Sequence, residues 1–279
     1  IRENKDKPFL LYFAHMYVHL PLFAPQRFLK QSKNGAYGAA VECIDWATGV
    51  LMDELRELGL EDDTLVIFTS DNGSNCRNGG SNAPLKGAKG STWEGGMRLP
   101  CIMRYPKRIA AGTTCGEVVT SMDFLPTFAR LAGCEPSPDR KIDGHDMTPL
   151  MFDEDGAASA HKAFFYYRLN TLEAVRSGNW KLHVARFDRE KKGSVNICEL
   201  YDLESDIGET NDVSADRPDI VEKLCALAES CREDLGDERL GIEGKGCRPI
   251  GEVENGKPLT EYDEDHPYIV AMYDTSDAG

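Results

Sequence analysis

An α/β fold is predicted for this chain, on two observations. Residues 37–58 carry Val41, Ile44, Leu51, Leu55 and Leu58 at helical spacing, with strand-like apolar runs on either side at 8–14 and 65–68. Strand, helix and strand in that order are the signature of a parallel sheet. The second observation is a change of texture after residue 163. Short strand-like runs alternate there with turns and then give way to one amphipathic helix, which predicts a small antiparallel sheet backed by a helix.

The elements follow in order. Residues 8–14 read as a buried strand and 15–25 as the loop at its end. Gly59 stops the helix over 37–58. The buried-looking strand Leu65, Val66, Ile67, Phe68 ends in Asp71-Asn72-Gly73, and a glycine-rich loop then delivers Lys86 and Lys89. Residues 99–105 give another short strand. Asp123 caps a helix running to Leu131, with Gly133 just beyond it. Residues 136–149 are loop.

Short strands are expected at 164–168, 174–176, 180–184 and 199–203, with Ser177-Gly178-Asn179 as one of the turns. Asp216 and Pro218 start a helix whose apolar face is Ile220, Leu224, Leu227, Cys231 and Leu235. The expected division is an α/β part over 1–155, a small sheet-and-helix part over 156–240, and an irregular tail rich in glycine, proline and acidic residues over 241–279. No internal repeat or low-complexity tract is present.

Bulk properties narrow the function classes. The chain has 279 residues, enough for a sizeable core, and its 41% apolar and 28% charged content is ordinary for a globular protein. A net charge of −15 argues against nucleic acid or an anionic membrane surface as partner. It does not exclude a small anionic substrate, because a lysine and a metal can override the global field within a cleft. No apolar run is long enough to form a transmembrane helix. The start, IRENKDKPFLLYFAH, lacks both an initiator Met and the pattern of a signal peptide, and reads as a piece whose own N-terminus lies upstream. Nine cysteines show no zinc-type spacing, so buried free thiols with one or two bridges are expected.

Several residues are candidates for chemistry. In an open α/β sheet, ligands sit beyond the carboxyl ends of strands. Asp71 and Asn72 there offer hard oxygen ligands suited to Ca²⁺ or, less well, Mg²⁺. They also form a plain turn, and Asn72-Gly73-Ser74 is a glycosylation sequon, a reading that excludes the metal role. Lys86 and Lys89 are either solvated loop lysines or point charges for an anion. His19 is either a loop histidine packed on prolines or an acid or hydrogen-bond donor facing the Asp71 site. Glu94 and Arg98 read as a structural ion pair and Asp123 as a helix cap. His145 reads as a loop residue that can also line the cleft. His183 falls in a strand, with Trp180 beside it packing the core, while His161 and His266 carry no signal.

HLPL, VIFTSDNG, LKGAKGSTWEGGMRLP and MDFLPT, in that order from residue 8 to about residue 235, resemble the sulfatase family of the alkaline-phosphatase superfamily. The chain is similar to the C-terminal portion of such an enzyme. The resemblance implies the closing part of the sulfatase sheet domain followed by the small sheet-and-helix subdomain. It implies that Asp71 and Asn72 are Ca²⁺ ligands and that His19 and Lys89 contact the sulfate group. Val18 stands where the family often has proline.

The family's nucleophile, a formylglycine made from C-x-P-S-R or S-x-P-S-R, has no counterpart here. Cys134-Glu135-Pro136-Ser137-Pro138 has proline in place of the arginine and lies after the lysine block. The modification is therefore expected upstream of this chain. The family's paired N-terminal aspartates and its first lysine–histidine pair are missing too, so the chain alone reads as inactive. The implied activity is sulfate-ester hydrolysis, on an aryl sulfate or a sulfated glycan, in an extracytoplasmic compartment. The alternatives are a phosphomonoester or phosphonate hydrolase of the same superfamily and a non-catalytic relative that binds sulfated glycans.

Overall fold

The computed structural model describes residues 1–249 and 251–254. The chain is mixed α/β, with small antiparallel sheets and helices, and clusters into two units. Most of the expected tail, and His266 within it, lies outside the described residues.

One unit holds residues 12–46 together with the described residues 247–249 and 251–254. Its described core is Phe28 on α1 (Gln26–Gln31) with Ala39 and Cys43 on the first turns of α2 (Gly35–Glu57). Tyr17, Ala24 and Leu29 pack around them. The helix expected over 37–58 is thus present, two residues longer at its start. Its expected apolar stripe is only partly buried: Leu55 is covered, whereas Val41 is exposed.

The other unit comprises Ile1–Leu11 and Ala47–Gly246. The expected strand over 8–14 does not form. Leu10, Leu11, Tyr12 and Phe13 are 50–89% exposed, and no described segment pairs with them. An apolar run states a preference for strand, but a strand exists only where a neighbour supplies a hydrogen-bonding ladder. The sheet also differs from expectation. β1 (Val66–Thr69) pairs with β2 (Cys101–Arg104), and the pairing is antiparallel, with Phe68 opposite Ile102. Among the described residues no parallel pair exists. Both partners are exposed, Ile102 at 64%, so the run that looks buried in sequence is uncovered on this face.

The second half matches its expected texture closely. β3 (Phe164–Arg168), β4 (Thr171–Ser177), β5 (Trp180–Asp188) and β6 (Gly193–Asp202) form an antiparallel meander in sequence order. The Gly178–Asn179 turn joins β4 to β5, with Ser177 opposite Trp180. After the short helices α3 (Glu94–Met97), α4 (Phe124–Leu131) and α5 (Thr148–Met151), α6 (Pro218–Leu235) packs against β4 and β5. Leu224, Ala228 and Cys231 from the helix close on Leu172, Val175, Leu182 and Leu200 from the strands, with Ile220, Leu227 and Trp180 partly buried at the edge. Leu235, expected on this face, is 41% exposed at the helix end.

Successive residues of a strand face opposite sides of its sheet. On β5, Leu182 turns to the helix, so Lys181 and His183 turn to the other side, and both are nevertheless buried. What covers them is the loop after β1. Cys43 and Cys231 are buried thiols, and among the described residues none of the expected bridges is formed.

Candidate functional site

The glycine-rich loop over 70–98 is folded back on itself by its own backbone. Gly73 N–H donates to the Gly96 carbonyl at 3.0 Å, Gly95 N–H to Lys86 at 2.7 Å, and Lys89 N–H to Ser74 at 3.1 Å. The Asn82 carboxamide staples the two limbs, donating to the Ser74 and Gly87 carbonyls and accepting from Ser74 N–H. Side chains would prevent this approach. A Cβ on Gly73 would lie 1.8 Å from the Gly95 carbonyl oxygen, and one on Gly96 would lie 2.1 Å from that of Ser91. The glycines are needed for close backbone contact.

This folding brings the Lys89 turn beside the Asp71-Asn72 corner, because Ser74 carries one backbone link to Lys89 and lies two residues past Asn72. The Asp71 carboxylate and the Lys89 ammonium are exposed, the Asn72 carboxamide is half-buried, and none has a hydrogen bond or ion pair among the described residues. Lys86 differs. Its ammonium donates to the Glu209 carbonyl at 2.8 Å and sits 3.9 Å above the Trp93 ring. Of the two lysines the loop delivers, one is structural and the other is unengaged.

His19 lies in the other unit, exposed, in a turn closed by its own N–H on the Met16 carbonyl. Its Nδ1 lies 2.9 Å from the Leu20 carbonyl, which can only accept, so Nδ1 carries the proton. Nε2 is left for another partner. It accepts when the ring is neutral and donates only when the ring is protonated.

Asp71 and Asn72 alone do not make a calcium site, since Ca²⁺ takes about six to eight oxygen ligands. Among the described residues no group of three or more acidic, histidine or cysteine side chains is placed to hold a metal.

Beneath the loop lies a buried polar cluster that sequence reading missed. Lys181 is fully buried. Its ammonium donates to the Thr92 carbonyl at 2.8 Å and to the Glu94 carboxylate at 2.9 Å, and it pairs with Glu209 at 2.9 Å. Glu209 also accepts from Glu94 N–H at 2.7 Å and from His183 Nε2 at 3.0 Å. Tyr166 donates to Glu94, and Arg176 pairs with it at 3.3 Å. The expected Glu94–Arg98 ion pair is therefore not formed: Arg98 is exposed, and Glu94 points into this cluster. Glu173 is the extra residue of a bulge, where Tyr166 pairs with Ala174 and Tyr167 with Leu172. It accepts from Thr92 and Ser194.

Burial pulls the His183 imidazole below its ordinary pKa, against the opposing pull of Glu209. Burial raises the Glu209 carboxyl, but the His183 hydrogen bond, the Lys181 charge and the Glu94 amide outweigh it and hold Glu209 below the ordinary range. Burial, then the Glu94 charge, push the Tyr166 phenol well up. In sequence, Lys181 and His183 alternate with Leu182 and read as the wet face of a strand. Only their common spacing of two hinted that they face one partner.

The remaining candidates have structural partners. Asp123 is buried at the start of α4 (Phe124–Leu131), but its carboxylate makes no cap hydrogen bond to that helix; it accepts from Thr120 N–H and closes a capping box on the 3-10 turn Ser121–Asp123. It also accepts from His145 N–H at 2.7 Å and meets His161 Nε2 at 2.8 Å. His161, silent in sequence, is thus tied to the cap, with the His145 ring 4.8 Å from it. Cys134 is exposed and meets the Ala129 carbonyl at the end of α4.

The comparisons with known proteins are specific. The family model described as "Sulfatase" matches residues 1–134, and the one described as "N-sulphoglucosamine sulphohydrolase, C-terminal" matches residues 88–233. The chain is 43% identical over 193 residues to the steryl-sulfatase of Mus musculus, covering 65% of this chain and 31% of that protein. It is 36% identical over 250 residues to arylsulfatase A of Homo sapiens, covering 81% and 49%. Among solved structures, Ps i-CgsB in complex with k-i-k-neocarrahexaose is similar with a TM-score of 0.71 at 31% identity, covering 81% of this chain and 50% of that one. The chain belongs to the sulfatase family. It spans about a third to a half of the length of these curated relatives.

Proposed function

We propose that the protein carrying this chain hydrolyses sulfate esters, and that this chain supplies the charge-neutralising side of the sulfate pocket. The observation that carries the reading is the contrast between the two loop lysines. Lys86 is committed to Glu209 and Trp93, while Lys89 is held by its backbone beside Asp71 and Asn72 with its ammonium unengaged. An ammonium carried on a held backbone and free of competing partners is available to stabilise charge that grows on sulfate oxygens as the ester bond breaks. His19, the position that matches the family's sulfate-contacting histidine, has Nδ1 committed to Leu20, so its Nε2 can donate to the sulfate or to the departing alcohol only from the protonated ring.

Asp71 and Asn72 are proposed as two ligands of a Ca²⁺ ion whose shell other residues complete. That ion, when bound, would neutralise further charge on the sulfate. Nothing in this chain is assigned the nucleophile's role, which the family gives to a formylglycine. The family sheet domain over 1–155, the smaller domain over 156–240 and the tail over 241–279 stand as the proposed division, supported by the single core shared by β3–β6 and α6. A sulfated glycan or an aryl sulfate is the proposed substrate, supported by the arylsulfatase relative and by the oligosaccharide bound to the similar solved structure.

The test is turnover of p-nitrophenyl sulfate by the complete protein and by its Lys89→Ala variant. Loss of one preorganised charge contact is expected to lower kcat by about 100-fold or more while thermal stability stays unchanged. Wild-type kcat in the variant would refute the assignment, and faster turnover of p-nitrophenyl phosphate than of the sulfate would favour a phosphoester hydrolase.

A further inference from the structure

Lys89 and Gly90 form the tip of a tight turn. Ser91 N–H donates to the Ala88 carbonyl at 3.0 Å, the Ser91 hydroxyl donates to the same carbonyl at 2.7 Å, and Ala88 N–H donates to that hydroxyl at 3.1 Å. The turn is closed on itself and has two anchors: the Lys89 amide ties its tip to the Ser74 carbonyl, and the chain beyond it continues into Thr92. Thr92 is held twice: its carbonyl by the Lys181 ammonium and its hydroxyl by Glu173. Two residues further on, Lys181 and Tyr166 share one oxygen of Glu94, and Glu209 holds the Glu94 amide.

We propose that Lys181, with Tyr166 beside it on the same carboxylate oxygen, is a positioning residue: a buried clamp on β5 that sets where the Lys89 ammonium stands. The proposal rests on the reading of Lys89 as a sulfate contact. Three features of the cluster point this way. The ammonium of Lys181 has three N–H groups and three acceptors, so no donor is left over. Two of those acceptors belong to the loop, and the third, Glu209, itself grips the loop at Glu94. Finally, a buried ion pair is a poor route to net stability, because an apolar side chain of the same volume often does as well or better. Its use in this place specifies geometry. Two cations, Lys181 and Arg176, stand against Glu94 and Glu209, with His183 at the edge and Glu173 as a third buried carboxylate on the Thr92 hydroxyl. The small sheet thereby acts on the candidate site without contributing a side chain to it.

The test is a double-mutant cycle in the complete protein, with p-nitrophenyl sulfate as substrate and amide exchange as the second measurement. Lys181→Met is expected to lower kcat/KM about 100-fold, the effect of displacing a catalytic group by roughly 1 Å. In a Lys89→Ala background the same substitution is expected to change kcat/KM less than about threefold, because its effect passes through Lys89. Equal losses in both backgrounds would overturn the proposal. The Lys89 and Gly95 amides are expected to exchange about tenfold faster in Lys181→Met while the β5–β6 ladder stays protected.

If Lys181→Met does not fold, Tyr166→Phe removes one bond to Glu94 at nearly constant volume. It is expected to give about a tenfold loss with the same exchange signature. Unchanged exchange at Lys89 in a folded variant sinks the clamp. Faster exchange in an otherwise folded protein whose wild type shows no sulfate-ester turnover sinks the sulfatase reading and leaves the clamp standing.

Discussion

Replacing Gly73 by alanine would drive a methyl carbon to 1.8 Å from the Gly95 carbonyl oxygen, 2.8 Å from its carbon and 3.0 Å from the Gly96 Cα. All three are backbone atoms, so no flexible side chain can move aside. To restore ordinary contact the two limbs must separate by roughly 1.5 Å, which also breaks the Gly73–Gly96 hydrogen bond. Overpacking of this kind costs about 1–3 kcal/mol, and a lost hydrogen bond adds about 0.5–1.5 kcal/mol. The sum is about 3 kcal/mol, which for a protein of this size lowers Tm by roughly 9 °C.

Thermal unfolding followed by circular dichroism measures this shift. Gly116→Ala is the control, since a Cβ there meets nothing within 4 Å and the backbone lies outside the left-handed region. Turnover of a sulfate ester should fall too, because the strained residue adjoins Asn72. If Gly73→Ala melts within about 1 °C of Gly116→Ala, the close approach of the limbs is not real.

Two further predictions rest on the same region. Lys86→Met should mirror Lys89→Ala: removing the contacts to Glu209 and Trp93 should lower stability by about 1–2 kcal/mol, with turnover kept within about tenfold. A large loss of turnover with unchanged stability would mean that the roles of the two lysines are exchanged. The pH dependence of stability follows from His183 and Glu209. Burial lowers the His183 pKa below the 6.5 of the unfolded chain, so between the folded and unfolded values the unfolded state holds more protons. That contribution is complete above about 6.5 and is lost as pH falls below it. The depressed Glu209 acts in the same direction at lower pH, being lost as pH falls through its folded value. His183→Gln should therefore flatten the decline of Tm as pH falls below about 6.5. A slope equal to wild type would place the titrating group elsewhere.

Legibility from sequence was uneven, for identifiable reasons. The meander and α6 were readable because each strand pairs with its neighbour in sequence and Leu224 and Cys231 recur at helical spacing. Local pattern and local pairing coincide there. At residues 8–14 and 65–68 they do not. The apolar runs state that these segments prefer a buried strand, while pairing and cover depend on partners remote in sequence. As a result one segment is not a strand, and the other pairs antiparallel with Cys101–Arg104 and leaves Ile102 exposed. His161 was invisible because its partner, Asp123, lies 38 residues earlier.

The glycine-rich block after β1, the strand-end Asp71-Asn72 and the pair Lys86 and Lys89 were determined by the sequence alone, because motif chemistry is local and survives without coordinates. Which of the two lysines is unengaged was decided only by the tertiary structure. So was the burial of Lys181, Glu94 and Glu209 beneath the loop that carries Lys89. A lysine's spacing says nothing about its acceptors. These come from residues as far apart as Thr92 and Glu209, and only the packing of the small sheet against the loop brings them to one ammonium.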